Sequence, residues 1–381
     1  MTLNVGKLAQ RWGIVVLMGA LWLFALTYGS GVGRAYDVYG KVKLLVLLVF
    51  VWQFIFRRKF RVISRKTAYA LSVIFVWYVI SLLFYEQDNT DYLWVYLLIL
   101  LMSRLSLTKS QMKWISLMYG ALGGAVLWFA KYGTVFHGWN QNSIAMLAFF
   151  SYTVFAASYT DVKDRKRIYL VLYSGLYFWL LNDLDSRGSI LFSVILLAGS
   201  FSLIPLRKLV KRKYILWMLL IPLMTAIFLV SVRDFSFISA LNTWSLQRFH
   251  KSLFNGRDVL WSQGFALWSK HPVFGNGNFG KINWHNSAVT CLVGAGAVGY
   301  LVWLFGVRKI LNMADDSGKD SLIYGLKAAF VVIWIQQAIE LGLIAAQVNV
   351  IPYAILGLLL ARTNTVAEEN QRGAISHSSG L

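Results

Sequence analysis

Residues 206–234 read LRKLVKRKYILWMLLIPLMTAIFLVSVRD. Five basic residues crowd the first eight positions, and then Tyr214 to Val232 run for nineteen positions without a charge. About twenty apolar residues at 1.5 Å each cover the hydrocarbon core of a bilayer. The run therefore has the length of a membrane-spanning helix, and the basic cluster beside it has the character of a cytoplasmic flank.

The same unit recurs in both directions along the chain. Apolar runs predict spans at 12–30, 42–56, 67–85, 92–106, 112–131, 142–158, 168–183, 188–204, 214–232, 286–306, 322–340 and 343–361, twelve in all. Composition agrees: 58% of the residues are hydrophobic and only 14% are charged, against roughly 25% charged in a soluble domain. Too few charges remain to wet a globular surface, which excludes a soluble enzyme or a secreted domain. The net charge of +21 would suit nucleic acid if it lay on one soluble face. It lies instead in short clusters between apolar runs, so the expected partner is the lipid bilayer and not nucleic acid.

The expected fold class is all-α, a polytopic membrane protein with one transmembrane domain over 1–361. A large external loop, 233–285, should carry short amphipathic helices, and the polar tail 362–381 is expected to be disordered and cytoplasmic. Lys7 and Arg11 before the first apolar segment resemble a signal peptide, but no small-residue cleavage site follows and the first helix is expected to be retained. The one cysteine, Cys291, allows neither a disulfide nor a cysteine-based metal site.

Orientation follows from the loops. Arg57 to Lys66 contain six basic residues, and the connections after spans 4, 6, 8 and 10 hold Arg104, Lys109 and Lys113; Lys163 to Arg167; Arg207 to Lys213; and Arg308, Lys309 and Lys319. The alternate loops carry Glu86, Asp88, Asp91 and only Lys131. Basic loops face the cytoplasm, so both termini should lie there. The loop from Arg233 to Trp284 then faces outward with six basic residues, two acids and four tryptophans, Trp244, Trp261, Trp268 and Trp284. Long loops are exempt from the charge rule, and such aromatics suit a membrane interface or a glycan. Within it, Asn255 and Gly256 signal a turn, and Trp261, Phe265 and Trp268 share a face of a predicted helix that begins near Arg257. Gly275, Gly277 and Gly280 follow in a stretch whose turns could cradle an anion.

Three spans begin at the external surface, after HGWNQNS (137–143), DLDSRGS (183–189) and NWHNS (283–287). Their capping candidates are Asn142 or Asn140, Ser186, and Asn286 or Asn283. Helix N-termini present unpaired N–H groups and about half a positive charge, which favours an anion. Arg187 and Arg257 add full charges in the planar fork that fits phosphate. For Arg187, at the membrane edge, the bland alternative is an interfacial arginine snorkelling to lipid phosphate. His285, at a helix start beside arginines, is expected uncharged, as a general base must be; the alternative is a capping residue beside Trp284. Asp183 and Asp185 match the D-x-D spacing of metal-binding nucleotide-sugar transferases, but they face outward, where nucleotide sugars are absent. His250, His271 and His285 show none of the usual zinc spacings. No metal or cofactor is expected.

S-R-G (186–188), G-R-x-x-x-W (256–261), H-P-x-x-G-x-G (271–277), H-N (285–286) and G-x-x-G (296–299) occur in that order. In order and placement they resemble the bacterial O-antigen ligase and Wzy-type polysaccharide polymerase superfamily, over about residues 130–306. That resemblance implies a glycosyltransferase of the bacterial inner membrane with its site facing the periplasm. The donor would be a glycan on undecaprenyl pyrophosphate and the acceptor a sugar hydroxyl, with a chain-length regulator as a further partner. By motif, Arg187 and Arg257 would hold pyrophosphate and His285 would activate the acceptor, with Asn286, Trp261 and Asn142 in support. Arg248 is carried over without a sharp motif. With no nucleophilic carboxylate in evidence, transfer would be a single inverting step. The polymerase is preferred because nothing specific to lipopolysaccharide is found; a ligase acting on lipid A core shares the motifs. A transporter or flippase of lipid-linked glycan is the alternative from another class, disfavoured because Glu340 is almost alone as an ionisable residue within the spans.

Overall fold

The computed structural model describes residues 5–28, 47, 50, 51, 68, 69, 71–73, 75, 90–136, 138–160, 167–249, 252–277, 283–317, 320–340, 342–344 and 349–378. Among these the chain is helical and contains no strand. The helices are α1 (Val5–Tyr28), α2 (Thr90–Ser103), α3 (Lys109–Tyr132), α4 (Gln141–Ala157), α5 (Arg167–Asn182), α6 (Arg187–Ser200), α7 (Ile215–Val232), α8 (Ser236–Phe249), α9 (Arg257–Trp268), α10 (Ser287–Met313), α11 (Ser321–Gln336) and α12 (Val350–Ser378).

Helices occupy ten of the twelve segments expected to span; segments 42–56 and 67–85 lie for the most part outside the described residues. Three helical stretches are long and apolar enough to cross a membrane, Ile215–Val232, Ser287–Met313 and Val350–Gln371, while other apolar helices such as Arg187–Ser200 and Ser321–Gln336 are shorter. Burial separates the helices into two kinds. In α4 every residue from Ile144 to Ala157 is buried, and α11 and the first half of α12 are nearly as enclosed. On α7, by contrast, Trp217, Met224 and Phe228 are exposed. A helix apolar all round and buried on one side only needs an apolar medium on the other.

Local signals start several elements as the sequence directs. Thr108 and Gln111 form a reciprocal capping box at α3, and Asp320 caps α11 by accepting from Leu322 N–H at 2.8 Å. Two boundaries differ from expectation. Helix α12 continues through the segment expected to be disordered, as far as Ser378. The cause is a buried clamp at its middle. The Arg362 guanidinium lies 2.6 Å from the Asp320 carboxylate and donates to the Leu107 carbonyl at 3.1 Å, while Thr365 accepts from Leu107 N–H. Docked there, the chain continues as helix through Ala367, Glu368, Glu369 and Gln371, all good helix formers.

The second difference lies between α11 and α12. Hydropathy carries one span to Glu340 and starts the next at Leu343, whereas α11 ends at Gln336 and α12 begins at Val350. The carbonyls of Gln337 and Ala338 are taken by Ser287 N–H and by the Asn286 amide, each at 3.0 Å, and Gln337 Oε1 accepts from Leu343 N–H. Groups that would have continued the helix are bonded to α10 instead.

Candidate functional site

The unwound turn after α11 is the floor of the site. Helix α10 starts against it through Asn286, which is fully buried. Its Oδ1 accepts from the amides of Ala288 and Val289, and its Nδ2 donates to the carbonyls of Pro222 and Ala338. One side chain thereby caps α10 and ties it to α7 and to the end of α11. Helix α6 starts beside the same turn. A β-carbon on Gly188 would lie 2.8 Å from Ile339 Cδ1, so the glycine of the S-R-G motif is what lets this helix start approach. Further along, Met146 in α4 lies against Gly342. The starts of α6 and α10 thus meet at the turn 337–340, and α4 passes beside Gly342 at Met146.

Helix α9 brings Arg257. Gly256 precedes it in the left-handed region, and Trp261, one turn on, is fully buried among Ala226, Trp284, Val289 and Val293. The Trp261 indole donates to the Trp284 carbonyl at 2.7 Å. That bond fixes α9 to the residue just before His285. His285 itself has φ +47, a region a β-carbon disfavours, and its amide donates to Asn283 Oδ1.

The two residues so placed meet on one carboxylate. Arg257 Nη2 lies 3.5 Å from Glu340 Oε1, and His285 Nδ1 lies 3.9 Å from Glu340 Oε2. Glu340 is mostly buried, and Nδ1 of His285 is buried with no hydrogen-bond partner. Sequence reading missed Glu340 as a site residue because it lay inside a predicted span. Its only signal was its charge within an apolar run.

The other candidates fall at different distances from this centre. Arg187 is exposed at the start of α6, its Nε 3.5 Å from Asp185 Oδ1, while its neighbour Gly188 packs against Ile339, the residue before Glu340. Arg248 is exposed in the last turn of α8. Asn142 is exposed in the first turn of α4 and donates its amide to Asn140, which is the residue that caps. Trp261 and Asn286 hold the site together from below. Asp183 pairs with Lys131 at 2.8 Å, so both acids of the D-x-D sequence face a cation. Among the described residues no three His, Cys, Asp or Glu side chains gather as a metal site.

The glycines of the H-P-x-x-G-x-G segment do not form an anion cradle at Gly275 and Gly277; Gly280 lies outside the described residues. Their amides are engaged: Gly275 N–H donates to His271, Asn276 N–H to Val293 and Gly277 N–H to Gly294. Val293 and Gly294 lie in α10 just before Gly296, where φ +67 and ψ −174 break the helix. Ala297 and Val298 donate back to Pro272 and Val273. The segment supplies the backbone partners that the broken helix lacks, as an apolar surrounding requires.

An apolar groove opens between α7, α9 and α10, lined by Leu223, Ile227, Phe265, Trp268, Leu292 and Tyr300. Arg257 and Phe265 are eight residues apart on α9, about 12 Å along the helix axis.

No family model, curated protein or solved structure matches this chain. The fold and site define an all-helical chain with apolar helices of membrane-crossing length. Its cation, imidazole and carboxylate converge where three helices begin.

Proposed function

We propose that the protein is a membrane glycosyltransferase that moves a glycan from undecaprenyl pyrophosphate to a sugar hydroxyl, as a repeat-unit polymerase. The observation that carries this reading is the meeting of Arg257 and His285 on either side of Glu340. An anion-binding fork and a proton acceptor within one group suit displacement of a phosphate-linked leaving group by a hydroxyl.

In this reading Arg257 and Arg187 bind the pyrophosphate oxygens, helped by the N-terminus of α6. The isoprenoid chain lies in the groove beside α9. His285 takes the proton of the acceptor hydroxyl as its oxygen attacks the anomeric carbon from the face opposite the pyrophosphate. The carbon–oxygen bond to pyrophosphate breaks, its electron pair leaves with undecaprenyl pyrophosphate, and the arginines neutralise the growing charge. The product is inverted at that carbon. The motif order and the outward orientation that the basic loops predict for 233–285 favour the same reading.

The test is transfer by purified protein in detergent, with EDTA present and no second compartment. Elongated lipid-linked glycan is the expected product. Transfer only to lipid A core would make the protein a ligase, and no transfer with either acceptor would leave a transporter.

A further inference from the structure

Glu340 has no role in the chemistry above, yet it touches both residues that do. Each carboxylate oxygen faces a different partner, Oε1 towards Arg257 at 3.5 Å and Oε2 towards His285 Nδ1 at 3.9 Å. The first distance is at the outer edge of hydrogen bonding and the second is beyond it. The carboxylate is therefore held between the two and bonded firmly to neither. Nδ1 of His285 is buried without a hydrogen-bond partner, while 37% of the side chain is accessible. A buried ring nitrogen left unsatisfied is costly, and among the described residues the carboxylate that faces it is that of Glu340.

We infer that Glu340 is a positioning residue that couples occupancy of Arg257 to the readiness of His285. With Arg257 free, its guanidinium draws the carboxylate away from the imidazole. An anionic ligand on Arg257 replaces the carboxylate as its partner, and Glu340 then closes on Nδ1 and accepts its proton in a hydrogen bond. In neutral imidazole the proton sits on the nitrogen that has an acceptor. A proton fixed on Nδ1 leaves the lone pair on Nε2, the other ring nitrogen and the one able to receive the acceptor's proton. The base is thus armed only when the donor is seated, and an acceptor hydroxyl is not activated in an empty site. Closure needs a movement of about 1 Å, within reach of one side-chain torsion. The inference rests on the reading of Arg257 as a pyrophosphate ligand.

The experiment uses full-length protein in detergent with ¹⁵N-labelled histidine. The chain has five histidines, and the His285 signals are assigned by their absence from His285→Gln. Inorganic pyrophosphate and undecaprenyl pyrophosphate are the probes, with binding followed separately by calorimetry. In the wild type, either probe should drive His285 to a single Nδ1–H tautomer. In Glu340→Ala both probes should still bind and the tautomer should not change, with turnover down at least tenfold and donor KM nearly unmoved. Glu340→Asp should restore part of both signals. Should Glu340→Ala fold poorly, Glu340→Leu, closer in volume and equally unable to accept from Nδ1, is read in the same way for turnover. Binding without any change at His285 in the wild type would overturn the coupling alone. Failure of both probes to bind would overturn the donor reading and the coupling with it.

Discussion

Asn286 illustrates how one polar side chain can define a site in an apolar protein. All four of its hydrogen bonds go to backbone groups of three separate elements, and it is fully buried. Loss of the cap costs about 1 kcal/mol, and each buried carbonyl left unpaired adds about 1 kcal/mol or more. Asn286→Ala should therefore lower stability by about 3 kcal/mol, read as a clear drop in the unfolding temperature in detergent. An unchanged melting temperature would show that water replaces the amide. The neighbouring His285 is held in a left-handed backbone conformation between two anchored residues, Trp284 and Asn286. Backbone strain held by its surroundings is frequent where a side chain must be aimed at a reaction.

At the scale of elements, the broken helix α10 and the segment 272–277 form one structural unit. A β-carbon on Gly296 would lie 2.3 Å from the Val273 carbonyl oxygen, and one on Gly275 would lie 2.4 Å from the Gly296 nitrogen. Both clashes are with backbone and neither can be relieved by a rotamer. Gly296→Ala should accordingly reduce folded protein in the membrane severely, as judged by size-exclusion profile, whereas a normal profile would mean that the kink is dispensable. Arg362 predicts a second outcome. Removing one partner of a buried ion pair costs about 3–5 kcal/mol, so Arg362→Ala should release the last third of α12 to limited proteolysis, and an unchanged cleavage pattern would show that the clamp is dispensable.

How far these features were legible depends on their range. Local periodicity and caps marked α9 from its tryptophans and α10 from the residues that precede it. The break in α10 was not visible, since Gly296 within an apolar run resembles any other glycine of a packed helix. The end of α11 was equally hidden, because the partners that stop it come from Ser287 and Asn286, some fifty residues away. Glu340 was thereby placed inside a span and its meeting with Arg257 and His285 missed. Arg187 stood out because charge at an apolar boundary needs a reason, and Arg257 because it shares a helix face with Trp261. Arg248, whose case rested on no motif, is found exposed on α8.

For the whole molecule, the proposed chemistry requires that the starts of α6 and α10 and the end of α11 face the compartment that contains the lipid-linked glycan. The basic loops predict that side to be outside. A reporter inserted between Arg233 and Trp284 should therefore register the external compartment, and one at the C-terminus the cytoplasm. Cytoplasmic signal from the loop would end the account. The most direct test of the central claim compares purified His285→Ala and Arg257→Lys for binding of an undecaprenyl-pyrophosphate glycan and for product. Loss of a general base costs about 10² to 10⁴ in rate without touching ground-state affinity, whereas lysine keeps the charge and loses the fork. His285→Ala should bind donor normally and turn over at least a hundredfold more slowly, and Arg257→Lys should bind it more weakly. Normal turnover by His285→Ala, or full activity in Arg257→Lys, would contradict the assignment.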